Sequence, residues 1–389
     1  MTCKAAFVFT PDMLKYHFSE DHPFNPVRLR LTLDLLEAYG LLEQNDMVLP
    51  RAANMEELLT FHEERYLQML KKLSEPGASD EGAHLYGLGT EDNPVFPEMF
   101  KVGSLVVGAT VTAAELVMEG KVEHAINLSG GLHHAHSAMA SGFCILNDAV
   151  IAIKLLQKKY NCRVVYIDTD AHHGDGVQWA FYEDPNVLTI SFHETGRFLF
   201  PGTGKVAEVG KGLGYGYAVN VPLEAFTEDE SWIKNFREVV YPIVKAFEPD
   251  IIISQNGCDG HFYDPLTHLS ASTLTYKEIP KIVHRLAHEV CDGKWVAIGG
   301  GGYDIWKVVP RAWTLLWGEM KGIKVPAKIP EAWIKKWSAQ SPFVLPPSLN
   351  DDPSELPDIP RRPEIEEKNY LASQRVLNSV LPILTGNIG

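Results

Sequence analysis

The stretch from Val164 to Asp175 joins an apolar, β-branched run to a dense group of aspartates and histidines. The run has the composition of a buried strand, and the polar group begins where that strand ends. In open α/β sheets, ligand sites lie just beyond the carboxyl ends of the strands. Asp170 and His172 are two residues apart, so on extended backbone they point to the same side. A carboxylate and an imidazole side by side are two ligands of a divalent-metal site.

Apolar strand patterns alternate with helical patterns over most of the chain, which favours a parallel sheet with helices on both faces. The predicted strands lie at residues 4–9, 124–128, 164–168, 187–192, 218–221, 250–254 and 295–298. The predicted helices lie at residues 29–39, 100–118, 144–158, 176–182, 230–246, 275–289 and 309–320. We therefore predict an α/β body formed by residues 1–322.

Prolines recur between residues 326 and 363, and we expect them to break up any regular element there. Residues 323–389 are predicted to be a Pro-rich C-terminal extension. Trp333, Trp337 and residues 371–384 give this extension apolar side chains, so we expect it to pack on the body or on a partner subunit.

The charge and cysteine content restrict the class of partner and the compartment. The formal net charge of −15 argues against nucleic acid and anionic membrane as partners. Five scattered cysteines without a Cys-x-x-Cys pair favour a reducing cytoplasm over a disulfide framework. No apolar stretch is predicted to be long enough to span a bilayer. The sequence is compatible with a monomer or a homodimer.

Polar residues that follow the predicted strands are expected to meet at one rim of the sheet. These residues are His133, His134, Asp168, Asp170, His172, Asp175, His193, Asp259 and Tyr303. Asp259 is the natural third metal ligand, and three protein ligands leave an open position, as catalytic sites require. Histidine favours zinc, although two carboxylates also suit iron(II) or manganese.

The tandem histidines and Tyr303 supply the remaining groups that this chemistry needs. Asp168 and Asp175 can each accept a proton from one histidine and fix its tautomer. Two His–Asp pairs beside an activated water make a general base and a general acid. Tyr303 follows four glycines, and its hydroxyl can donate to a developing oxyanion.

Several motifs in order along the chain resemble those of the zinc-dependent histone deacetylase family. They are Gly130–Ala135 (GGLHHA), Ser141–Asp148 (SGFCILND), Tyr166–Gly176 (YIDTDAHHGDG), Phe200–Gly204 (FPGTG), Gln255–Asp259 (QNGCD) and Gly299–Tyr303 (GGGGY). Within that family the chain most resembles the bacterial acetoin-utilization deacetylases, which share the loop Tyr86–Asp92 (YGLGTED) and the extended tail.

The resemblance implies an arginase-like three-layer α/β/α fold with a central, mostly parallel eight-stranded sheet, and hydrolysis of Nε-acetyl-lysine to lysine and acetate. It implies that zinc is bound by Asp170, His172 and Asp259. His134 would be the general base, His133 its electrostatic partner, Asp168 and Asp175 their carboxylate partners, and Tyr303 the carbonyl-polarising group. The implied substrate-binding residues are Asp92, Gly142, Phe143, Phe200 and Leu266, with Arg28 beside an acetate-release channel. A structural potassium ion would use groups at Asp168, Asp170, His172, Ser191 and Phe192.

Four candidate functions are considered for this sequence. The first is deacetylation of protein lysine, with acetyl-CoA synthetase as a target suggested by the acetoin-utilization likeness. An acetylpolyamine deacetylase would carry an inserted loop and extra acids at the entrance, and no large insertion is evident. An arginase-like two-metal ureohydrolase would have no use for the tandem histidines or Tyr303. A non-catalytic acyl-lysine binder would not need the full set of catalytic residues.

Overall fold

The computed structural model describes residues 3–386, and their eight strands form one sheet in the order β2-β1-β3-β8-β7-β4-β5-β6. Every neighbouring pair of strands is parallel. The strands are β1 (Ala5–Val8), β2 (Met47–Val48), β3 (His124–Asn127), β4 (Val164–Asp168), β5 (Val187–Glu194), β6 (Ala218–Leu223), β7 (Ile251–Gln255) and β8 (Trp295–Ile298).

The α-helices form two groups that cover the sheet. They are α1 (Val27–Ala38), α2 (Met55–Leu58), α3 (Glu64–Leu73), α4 (Met99–Met118), α5 (Asp148–Tyr160), α6 (Asp175–Ala180), α7 (Asp229–Phe247), α8 (Thr273–Val290), α9 (Val309–Met320), α10 (Glu331–Trp337) and α11 (Arg362–Leu384). In one group, α4 packs on α3 and α5; in the other, α1, α9, α8, α7 and α11 pack in a row. This arrangement is the predicted α/β/α architecture.

The central strands are apolar throughout because both faces of the sheet are covered. Ile251, Ile252 and Ile253 are fully buried, as are Val164 and Val165 on the neighbouring β4. The polar residues that follow these strands therefore emerge from a rigid, solvent-free core at its carboxyl edge.

All seven strands predicted from the apolar runs are present, and β2 is an additional strand. It has only two residues, Met47 and Val48, which is too short for a recognisable pattern. The helix predicted from residue 144 begins instead at Asp148. The reason is a cap, because the Asn147 side chain accepts a hydrogen bond from the Val150 amide at 3.0 Å.

The expectation that prolines break up every regular element after residue 322 was wrong. Both α10 and α11 form, since Pro330 precedes α10 and Pro363 lies in the first turn of α11. A proline there loses no hydrogen bond, because the first amides of a helix have no partner within it.

The extension packs on the body of the same chain. On α11, Val376 and Val380 are buried against the main core, and Asn369 accepts a hydrogen bond from the Glu224 amide at 2.9 Å. In the preceding loop, Asp351 pairs with the buried Arg311 at 2.7 Å. The division into two domains at residue 322 stays a prediction, and its last residues, 387–389, lie outside the described residues.

The prediction that no segment has bilayer-spanning length was also wrong. Among residues 3–386, α4 is the one helix long and apolar enough to cross a membrane, with a mean hydropathy of 1.5 over its most apolar window. In the structure 67% of that window is buried, because α4 packs against α3, α5 and β3. The helix predicted at residues 100–118 is therefore part of the core.

Candidate active site

Three predicted metal ligands converge beyond the carboxyl ends of β4 and β7. Asp170 and His172 lie in the turn after β4, and Asp259 lies after β7, hydrogen-bonded to that turn through the Ala171 amide at 2.8 Å. The Nδ1 atom of His172 lies 2.8 Å from Asp259 Oδ2 and 3.1 Å from Asp170 Oδ1. All three side chains are buried, and one ligand atom from each lies within 4.8 Å of the others.

The surroundings of this cluster fit a divalent cation. Two buried carboxylates bring more negative charge than one imidazole can balance, and a bound cation offsets that excess. Backbone packs closely around the cluster, since a Cβ atom at Gly257 or Gly301 would overlap the carboxylates. The donor set of one nitrogen and two carboxylates suits zinc, and also iron(II) or manganese.

Two His–Asp pairs flank the cluster, as the sequence predicted. His133 Nδ1 donates to Asp168 at 2.8 Å, and His134 Nδ1 donates to Asp175 at 2.6 Å. The carboxylates can only accept, so each pair fixes the imidazole tautomer with Nε2 facing away from the carboxylate. The two imidazole rings are adjacent, with centroids 4.0 Å apart.

The two histidines differ in electrostatic environment. Burial lowers the pKa of His134 to about 4, and the charge of His133 adds to this effect. Burial also opposes the charge of His133, but Asp168 and Asp170 outweigh it and raise the pKa of His133 to about 9. Near neutral pH, His134 is therefore a neutral proton acceptor and His133 is its cationic neighbour.

Asp148 positions the loop that carries both histidines, and sequence reasoning did not assign it this role. Its carboxylate accepts hydrogen bonds from the amides of Gly131, at 3.1 Å, and Leu132, at 2.9 Å. Thr110 donates a further one at 2.5 Å. The only sequence signal was the place of Asp148 at the end of the SGFCILND motif.

Aromatic rings from separate loops surround the cluster. The Phe143 ring meets Tyr303 edge to face at 5.7 Å, and the half-exposed Phe200 ring meets His134 in the same way at 5.0 Å. Gly142 has a positive φ of 50°, and a Cβ atom there would lie 2.5 Å from the His134 ring. A side chain at Gly142 would therefore collide with the rings of His134 and Phe200.

Tyr303 lies at the site with its ring centroid 6.5 Å from that of His172. Burial raises the pKa of Tyr303, and the charges of Asp259 and Asp170 raise it further, so the hydroxyl keeps its proton. Asp264, which the sequence analysis did not single out, accepts from the Tyr303 amide at 2.8 Å and from the Leu266 amide at 3.0 Å. Asp264 thereby links Leu266, a predicted substrate-binding residue, to Tyr303.

Arg28 and Asp92 differ in their exposure to solvent. Arg28 is buried, donates to the Gly302 carbonyl at 3.1 Å and stacks on the Phe24 ring at 4.1 Å. Asp92 is exposed, and its backbone carbonyl lies 3.3 Å from His22 Nε2. His22 meets the Phe143 ring edge to face at 4.6 Å, so it connects the Asp92 loop to Phe143. The one feature of the sequence that pointed to His22 was its place in the aromatic-rich stretch 16–28.

Of the residues expected to hold a monovalent ion, Asp168, Ser191 and Phe192 lie on adjacent strands, and Asp170 and His172 lie in the turn after β4. Ser191 of β5 is the register partner of Asp168 at the end of β4, and the buried Phe192 follows it. His193 was expected at the metal rim but has a different contact. Its Nε2 donates to the Gly204 carbonyl at 2.9 Å, and its Nδ1 lies 2.8 Å from Ser191 Oγ. It therefore anchors the loop that carries Phe200.

Comparison with known proteins agrees with this arrangement. Residues 22–320 match the family model described as histone deacetylase domain. The chain is 53% identical over 376 residues to the acetoin utilization protein AcuC of Bacillus subtilis (strain 168), covering 97% of each chain. It is 46% identical over 367 residues to AcuC of Staphylococcus aureus (strain MSSA476), covering 94% of each.

A solved structure has the same fold. The crystal structure of an HDAC homolog from Aquifex aeolicus superposes with a TM-score of 0.84 at 33% identity, covering 95% of this chain and 100% of that one. A crystal structure of an HDAC homolog in complex with SAHA superposes equally well. Enzymes of this family are typically zinc-dependent deacetylases. Given the extent of these matches, the chain belongs to the histone deacetylase family.

Proposed function

We propose that this deacetylase hydrolyses Nε-acetyl-lysine in protein substrates, with zinc held by Asp170, His172 and Asp259. The observation that carries the proposal is that the Phe143 and Phe200 rings contact Tyr303 and His134 beside a buried cluster of metal ligands and His–Asp pairs. We infer that these two rings form an aromatic entrance. An acetyl-lysine side chain is a neutral amide on a thin apolar stem, so such an entrance favours it over charged lysine.

In the proposed reaction, His134 Nε2 takes a proton from the attacking water, since its Nδ1 is committed to Asp175. His133, held by Asp168, stabilises the negative charge that develops. The Tyr303 hydroxyl donates to the acetyl oxygen as it becomes an oxyanion. When bound, the metal supplies Lewis-acid activation of the water and the carbonyl. His134 then returns the proton to the lysine nitrogen as the C–N bond breaks.

Other residues would bind substrate or release product. Asp92 is exposed at the rim and would accept hydrogen bonds from the substrate backbone. Gly142 and Leu266 would line the passage for the stem. Arg28 would attract the acetate product through the positive charge of its buried guanidinium, which donates to the Gly302 carbonyl.

The substrate class is tested by acetate release from an acetyl-lysine peptide and from N-acetylputrescine, using the same purified enzyme. We expect chelation to stop turnover of the peptide, zinc to restore it, and kcat/KM to be much lower for the polyamine. A preference for N-acetylputrescine would contradict the proposal. Metal content of the untreated enzyme distinguishes zinc from iron(II). We also propose that the potassium ion implied by the family resemblance binds at Asp168, Asp170, His172, Ser191 and Phe192, and dependence of activity on K⁺ against Na⁺ tests this.

Acetylated acetyl-CoA synthetase is our proposed physiological substrate. The support is that the relatives are named acetoin utilization proteins, and this likeness suggests an enzyme of acetate and acetoin metabolism as the target. Mass spectrometry of acetylated synthetase after incubation with enzyme tests this, with His134→Ala as the control. Persistence of the acetyl group under conditions that deacetylate the peptide would exclude this substrate.

We also propose a cytoplasmic location without a nucleic-acid or membrane partner. The support is the net charge of −15 together with the burial of α4 in the core. Cell fractionation with an untagged protein tests the location, and recovery in the membrane fraction would contradict it.

A further inference from the structure

A second group of metal-ligand side chains lies at the opposite edge of the sheet from the active site. It comprises Cys3, His124, His284 and His288, named here the His–Cys cluster. His124 is the first residue of β3, and Cys3 lies two residues before β1, which pairs with β3. His284 and His288 are four residues apart on α8, so they project from the same helical face.

The potential ligand atoms of this cluster converge. One atom from each of the four side chains lies within 4.8 Å of all the others. Cys3 Sγ is 3.6 Å from His284 Nε2 and 3.9 Å from His288 Nε2, and the two Nε2 atoms are 3.2 Å apart. Ligands at 2.0–2.3 Å from a tetrahedral zinc ion are separated by roughly 3.3–3.8 Å, so these three separations are close to those of a zinc site.

His124 is buried among these groups without a hydrogen bond. It has no exposed surface, and neither of its ring nitrogens has a hydrogen-bond partner. Its ring meets those of His284 and His288 edge to face, with centroids 4.8 and 5.3 Å away. A buried imidazole nitrogen without a partner is costly, and coordination to a metal ion would satisfy it.

A carboxylate orients one of the ligands. Glu319 of α9 lies 2.7 Å from His284 Nδ1, so this nitrogen donates and Nε2 presents its lone pair to the cluster. The Trp295 ring stacks on His284, with the planes inclined by 27°. Carboxylate-oriented histidines of this kind are a regular feature of metal sites, because the carboxylate fixes the ring and raises its basicity.

We propose that the His–Cys cluster is a second metal site, which binds zinc through one thiolate and three imidazoles. All four positions are protein ligands, so the site is closed and structural, in contrast to the open three-ligand catalytic site. Its ion would link the segment before β1 to β3 and α8. This proposal is independent of the proposed deacetylase mechanism.

The test uses the full-length enzyme without a polyhistidine tag, stripped of metal and titrated with Co²⁺. Of the two candidate metal clusters among residues 3–386, the His–Cys cluster is the one that contains a cysteine, so Co²⁺ bound there produces a thiolate-to-metal absorption band in the near ultraviolet. We expect two equivalents of Co²⁺ per chain and this band in the wild type. Cys3→Ser should lose the band, whereas the matched control Cys162→Ser should keep it.

Further variants separate the two sites. His288→Ala, at an exposed position of α8, should weaken cobalt binding at the cluster at least tenfold and leave deacetylation by the zinc-loaded enzyme unchanged. Asp259→Ala removes a catalytic-site ligand and should keep the thiolate band, so failure of the proposed active site is distinguishable from failure of this inference. A single equivalent of Co²⁺ without the band in the wild type would overturn the proposal.

Discussion

At the scale of single residues, the hydroxyl of Tyr303 can be removed by substitution while the packing of its ring is retained. Tyr303→Phe retains the ring that contacts Phe143 and His172 but removes the hydroxyl proposed to donate to the oxyanion. We expect kcat for an acetyl-lysine peptide to fall by about 10²–10³-fold with a small change in KM. Tyr263→Phe is the control, because that hydroxyl contacts Glu355 at 2.8 Å. An unchanged kcat in the Tyr303 variant would remove Tyr303 from the mechanism.

The candidate metal ligands were the most predictable part of the site. Asp170, His172 and Asp259 follow strands with clear apolar runs, so their place at the carboxyl edge of the sheet follows from its parallel topology. His193 follows a predicted strand in the same way, but in the structure it lies within β5 and holds Gly204 of the next loop, which carries Phe200. This contact depends on how that loop packs against the strand, and strand position alone does not predict it.

At the scale of elements, the loop from Gly130 to His134 depends on Asp148. Asp148→Ala would leave two buried amides and the Thr110 hydroxyl without an acceptor, at about 1–3 kcal/mol for each group. We expect a loss of at least 2 kcal/mol in the free energy of unfolding, measured by urea denaturation, together with a lower kcat. Asp352→Ala, an exposed substitution, should change neither quantity appreciably. Full stability in the Asp148 variant would show that the loop is held by other contacts.

Helix and strand bounds were predictable where periodicity was strong and less so where caps decide them. The Asn147 cap moves the start of α5 to Asp148, and Pro330 and Pro363 begin helices in a stretch where proline density suggested none. In each case a single capping side chain or proline ring decides where the helix begins. Hydrophobic periodicity, which averages over a whole helical turn, does not predict such a local effect.

At the scale of the whole molecule, Asp351 connects the extension to the body. It pairs with Arg311, which is 1% exposed, and accepts hydrogen bonds from His261 and from the Thr273 amide. Asp351→Ala leaves the guanidinium buried without a counter-ion, and we expect it to lower the free energy of unfolding at pH 7 by about 3–5 kcal/mol. A loss below 1 kcal/mol would show that the extension contributes little through this contact.

The same pair predicts a pH dependence. Burial opposes ionisation of Asp351, but His261 and Arg311 outweigh it and hold its pKa well below the ordinary value. The stabilisation is therefore complete above the unfolded-state pKa of about 3.9 and decreases as pH falls toward the folded-state pKa. Denaturation of wild type and Asp351→Ala between pH 7 and pH 3 should show a constant difference down to about pH 5 and a shrinking one below it. A difference that grows on acidification would contradict this assignment.

The association between extension and body was the least predictable feature of the fold. It depends on long-range contacts, such as Asn369 with the Glu224 amide and Arg362 with Glu228, whose partners lie more than a hundred residues apart in sequence. No local pattern marks such pairs. The eight-stranded parallel sheet, by contrast, follows from family likeness once the motifs are identified.

In the proposed mechanism, His134 acts as a base beside a metal held by Asp170, His172 and Asp259. The most direct measurement is acetate release from an acetyl-lysine peptide by zinc-loaded wild type and His134→Ala, with zinc content determined for both. We predict equal zinc content and a kcat lower by about 10²–10⁴-fold in the variant. Equal turnover by the two proteins, or turnover by the wild type that survives complete removal of metal, would contradict the account.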